Sequence, residues 1–73
     1  MTTAVESRVI NVMKGTATKI KGVLLDSLKE VNEIIESADI TPTERDELQR
    51  VAESLKADIA DTEEILNDIE DQT

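Results

Sequence analysis

The single proline of the chain, Pro42, stands between two long helix-forming runs, and its neighbours dictate what the backbone does there. Thr41-Pro42-Thr43-Glu44 has the form of a capping box with proline at the first helical position. The Thr41 hydroxyl can accept from the Glu44 N–H while the Glu44 carboxylate reaches back to the Thr41 N–H. Pro42 lacks only a donor that has no partner at that position. The box predicts a helix beginning at Pro42. The same ring disfavours the α region at Thr41, so the preceding helix must stop at or just before Asp39.

On either side of this boundary the apolar residues recur with helical spacing. From Val5 to Ala38 they fall at Val5, Val9, Ile10, Val12, Met13, Ala17, Ile20, Val23, Leu24, Leu28, Val31, Ile34, Ile35 and Ala38. At about 100° per residue they occupy an arc of roughly 160°. A heptad-like seam runs within it through Ile10, Met13, Ala17, Ile20, Leu24, Val31, Ile34 and Ala38, broken at Ser27, where Leu28 takes over. After the corner, Leu48, Val51, Ala52, Leu55, Ile59, Thr62, Ile65, Leu66 and Ile69 share one side of a second helix, on which Asp58 intrudes. No stretch alternates with period two, so strands are not expected. The reading is all-α: an antiparallel helical hairpin with one helix over about 3–38 and another over about 42–70, forming a single domain over 1–73. Lys14-Gly15-Thr16 is the weak point of the first helix, and a break there gives three helices as the alternative. Gly15 and Gly22 lie opposite the apolar arc with Asn11 and Thr18, an exposed face rather than a groove.

Charge divides the chain unevenly. Residues 1–25 carry Arg8, Lys14, Lys19 and Lys21 against Glu6, while sixteen acids face Lys29, Arg45, Arg50 and Lys56 over 26–73; the balances of +3 and −12 sum to the net −9. Folding back at Ile40 lays the basic segment beside the acids of residues 58–71, so the two halves neutralise one another in the antiparallel arrangement. This is preferred to a membrane or nucleic-acid role for the basic segment. The longest apolar run, Val23-Leu24-Leu25, is far too short for a membrane span, and no signal-peptide pattern opens the chain. A cytoplasmic location is expected.

Chemistry has little to work with. The chain holds no His, Cys or Tyr, which removes the usual general base, the thiol nucleophile and a phenolic acid, and its serines have no triad partner. No phosphate-binding glycine loop or calcium loop is present, and a carboxylate di-metal bundle needs histidines that are missing. No enzyme activity, no cofactor and no metal are expected. Asp58, Asp61, Glu64 and Asp68 read as an acidic solvated face. The Rop-type plasmid regulators resemble this chain in length and hairpin architecture, but no motif matches and no residue is carried over. At −9 a polyanion is repelled, so no nucleic-acid partner is expected.

Protein association remains. Helices over 3–38 and 42–70 measure roughly 54 and 43 Å, so the first overhangs with Val5, Val9 and Ile10. It also carries more aliphatic surface than the second can cover, a strip that soluble monomers rarely leave in water. Val5, Val9, Ile10, Met13, Ile20, Leu24 and Val31 are the candidate interface. The expected function is a non-enzymatic interaction module, an adaptor, assembly chaperone or inhibitor. It is expected to form a homo-oligomer, most simply a dimer closing a four-helix bundle, and to bind a protein partner. The alternative is an acidic helical decoy that occupies a basic, nucleic-acid-handling site on another protein.

Overall fold

A computed structural model of the chain describes residues 3–71 and holds two helices, α1 (Ala4–Ile35) and α2 (Pro42–Asp71), packed along one another. Residues 1–2 and 72–73 of the expected single unit lie outside the described residues. Both helices begin on a threonine cap, and at α2 the cap is reciprocal. At α2 the Thr41 N–H donates to Glu44 Oε1 at 2.9 Å and the Glu44 N–H donates to Thr41 Oγ1 at 3.1 Å. The capping box is complete and the helix starts at Pro42, where the sequence puts it. At α1 the extended Thr3 accepts from the Glu6 N–H at 3.1 Å. Thr3-Ala4-Val5-Glu6 repeats the threonine-to-glutamate spacing, a signal the sequence reading passed over.

The end of α1 comes three residues sooner than the apolar periodicity suggests. The Glu36 N–H donates to the Asn32 carbonyl at 3.2 Å and the Ser37 N–H to the Ile34 carbonyl at 2.9 Å, the latter the tightened i→i+3 closure of a fraying last turn. Ser37 Oγ then accepts from the Asp39 N–H at 3.2 Å, a local bond that competes with helix continuation. No described residue has positive φ, so the corner of residues 36–41 is made without glycine. Arg45, in the first turns of α2, donates from its guanidinium to the Ser37 carbonyl at 3.2 Å and ties the two ends together.

Gly15 does not interrupt α1, which is continuous through it. Shortening of α1 also nearly removes the expected overhang: 32 and 30 residues give lengths of roughly 48 and 45 Å. Ile10 is half-buried, so it is covered by the hairpin itself. The short corner of residues 36–41 imposes the antiparallel sense, and two ion pairs fit the register. Lys14 meets Glu70 at 3.6 Å and Lys21 meets Glu63 at 3.3 Å, one heptad forward on α1 and one heptad back on α2. This is the neutralisation expected from the charge division. The pairs are largely exposed, each worth about 0.2–1 kcal/mol, and act more on orientation than on stability.

The molecule is a thin rod. Its Cα extents are 57 × 14 × 11 Å, and its radius of gyration of 16.9 Å far exceeds the ~11 Å of a globular chain of this length. Such a shape has little interior. Among the described residues the buried set is Ala17, Ala52, Ile59, Ile69 and Thr62, and no large side chain is fully enclosed. The one polar member, Thr62, satisfies its hydroxyl by donating to the Asp58 carbonyl at 2.8 Å.

Candidate functional site

Burial sorts the residues of each helix into rows. On α2, every buried or half-buried residue falls on one 3-4 heptad row: Arg45, Leu48, Ala52, Leu55, Ile59, Thr62, Leu66 and Ile69. This is a coiled-coil seam. Asp58 precedes Ile59 and stays exposed on the flank, so it does not break the seam. On α1 the matching row is Ile10, Lys14, Ala17, Lys21, Leu24, Leu28, Val31 and Ile35, half-buried or buried except at Lys14. The two lysines occupy seam positions, where their stems can lie along α2 while their ammonium groups reach Glu70 and Glu63.

That choice of row differs from the sequence reading. Met13, Ile20 and Ile34 were grouped with Ile10, Ala17, Leu24 and Val31; the structure instead takes Lys14, Lys21, Leu28 and Ile35. A 160° apolar face contains two adjacent rows; the one that meets α2 has Leu24, Leu28, Val31 and Ile35 where the displaced row has Val23, Ser27, Glu30 and Ile34, and its lysines reach the acids of α2.

The displaced row is left in water except at Ser27, which is half-buried. It runs one residue behind the first: Val9, Met13, Thr16, Ile20, Val23, Ser27, Glu30 and Ile34, with Val5 and Val12 beside it. Val5, Val12 and Val23 are 70, 68 and 64% exposed, and Val9, Met13, Ile20 and Ile34 are exposed as well. One residue is about 100° of helix, so this second row stands nearly at a right angle to the seam with α2. The opposite flank of α1, through Asn11, Gly15, Thr18, Gly22, Leu25 and Lys29, carries only one large aliphatic residue. In an antiparallel pair, the flanks that precede the seam on each helix turn to the same side. Val51 and Ile65 of α2, both exposed, therefore border the α1 strip, and Asp58, Asp61 and Asp68 edge it.

The seven residues expected at an interface thus divide. Ile10, Leu24 and Val31 are half-buried in the hairpin seam, whereas Val5, Val9, Met13 and Ile20 lie on the exposed row. Of the acidic set, Asp58, Asp61 and Asp68 lie beside the apolar strip, while Glu64 is on the outer surface of α2; all four are exposed. The described residues hold no group of three or more carboxylates arranged around a metal position. No described helix is long and apolar enough to cross a membrane. Arg8 and Lys19 border the outer edge of the exposed row, and neither is among the ion pairs of the described residues. Compared with known proteins, the chain matches no family model, no curated protein and no solved structure.

Proposed function

We propose that this protein is a non-enzymatic protein-protein interaction module, an adaptor, assembly chaperone or inhibitor, whose working surface is the exposed row of α1. The observation that carries this reading is the concentration of exposed aliphatic side chains. Seven lie along one flank of α1 and two more, Val51 and Ile65, on the adjoining flank of α2. The α1 strip alone amounts to roughly 600 Å² of exposed surface, at the upper end of what monomers display. A rod with no fully enclosed large side chain among its described residues has little stability to spare for such exposure unless the strip is covered in use. Self-association, with a dimer as the simplest form, is one way to cover it.

A second reading rests on a separate observation, the excess of acid on α2, which carries eleven acidic residues against Arg45, Arg50 and Lys56. An acidic rod of this kind suits a basic groove on a nucleic-acid-handling protein. The two readings part under one measurement: capture of host proteins and of a differently tagged copy, at low and at ~0.5 M salt, with wild type and with Val12→Glu/Val23→Glu. An aliphatic interface persists at high salt and is lost in the double variant. A decoy is lost with salt, whose screening length falls to a few ångströms, and ignores the valines. Capture that the double variant leaves intact sinks the first reading.

A further inference from the structure

Resting on that reading, we infer that the occupant of the exposed row is the same row on a second copy, with the two α1 helices running antiparallel about a twofold axis between residues 21 and 22. The row is self-complementary in that direction. With the axis there, Val9 faces Ile34 of the second copy, Ile20 faces Val23, and Thr16 faces Ser27, apolar on apolar and hydroxyl on hydroxyl. Met13, the most adaptable side chain of the row, takes Glu30. Charge along the outer edge agrees. Arg8 and Lys19, which form no ion pair among the described residues, come beside Glu33 and Asp26 of the second copy, all four being exposed.

Other pairings fail on the same residues. Two parallel α1 helices stack Glu30 on Glu30 and leave Lys19 and Asp26 facing Leu24 and Val31 of the second copy instead of one another. Packing α1 on α2 of the second copy sets three carboxylates of each copy, Asp58, Asp61 and Asp68, along the apolar strip, where the antiparallel pairing sets only Glu30 of each copy against Met13. Two strips of roughly 600 Å² set an upper bound of about 1,200 Å² on what the antiparallel contact buries, the lower end of specific interfaces. The right angle between the two rows of α1 is the geometry of a helix with two neighbours in a bundle.

The chain has no cysteine, so Ala38→Cys places a single nitroxide at the exposed corner. Pulsed dipolar spectroscopy on the full chain reads the arrangement. Position 38 lies some sixteen residues from the axis, so the antiparallel dimer separates the two labels by about 50 Å, and a parallel one leaves them within about 20 Å. A charge-reversal cycle adds an energetic readout. Lys19→Asp and Asp26→Lys should each weaken the dimer about tenfold by sedimentation, and the double reversal should recover to within about threefold of wild type, with helix content unchanged by circular dichroism. A short label distance, or a double reversal no tighter than the single ones, overturns the antiparallel pairing while self-association stands. A wild-type chain that stays monomeric at ~0.5 mM overturns the second copy as occupant, whereas the interaction reading is judged separately by Val12→Glu/Val23→Glu in the capture measurement.

Discussion

Thr41 and Glu44 form the most completely determined pair in the molecule, because each satisfies a backbone donor that the first turn of a helix leaves without a partner. Thr41→Ala should cost about 1 kcal/mol of stability by chemical denaturation. The Thr41 backbone N–H, and secondarily its hydroxyl, hold the Glu44 carboxyl below its ordinary value of 4.5. A carboxyl lowered in the folded state contributes stability that is present above the unfolded value and is lost as pH falls through the folded one. Glu44→Gln, which cannot ionise, should therefore lose less stability than wild type between about pH 5 and pH 3. Both caps were written in the sequence as threonine three residues ahead of glutamate, although only the one marked by proline was read. The role of Arg45 was not legible. It stands at a seam position and its bond to Ser37 spans the corner, so no spacing within one helix announces it.

At the scale of the element, α1 resolves a conflict between propensity and patterning. Lys14-Gly15-Thr16 weakens the helix locally, yet the helix passes through it, because Ala17 and Lys21 must reach α2 in phase with Leu24 and Leu28. Thr18 adapts by donating its hydroxyl to the Lys14 carbonyl at 2.8 Å. A Cβ built on Gly15 or Gly22 meets nothing within 4 Å, so neither glycine serves a close approach within the hairpin. Gly15→Ala and Gly22→Ala should each raise stability by about 0.5–1 kcal/mol, measured by urea denaturation. A loss of stability at either position would reveal a packing role on that flank. Helix α2 was easier to read than α1, since a narrow apolar row leaves only one way to face a partner.

At the scale of the whole molecule, the balance between interior and exposed surface governs behaviour. Ile59 and Ile69, 9 and 3% exposed, are the largest members of the buried set, and Ile59→Ala should cost about 2–5 kcal/mol. If a second copy covers the exposed row, the melting temperature should fall on dilution, because the folded state then gains binding energy that depends on concentration. A melting temperature constant over a hundredfold range of concentration would separate the hairpin's stability from any association. Ile59→Ala should in that case destabilise to the same extent at both ends of the range.

Local chemistry is what the sequence determined without help. Helical periodicity, the capping box and the lack of any strand pattern lead to two antiparallel helices, and the split of charge gives their direction, because these signals depend on neighbours within one or two turns or on net sums. The choice between the two adjacent rows of α1 was decided only by the tertiary structure. Ile10 to Ile35 and Val9 to Ile34 both lie on the apolar face, and a sequence shows the width of a face without showing its centre. The choice falls where the ammonium groups of Lys14 and Lys21 can reach Glu70 and Glu63 across the hairpin. The end of α1 at Ile35 was settled in the same way, by a closing turn and the Arg45 bond to Ser37 across the corner, contacts that exist only once the two helices lie side by side.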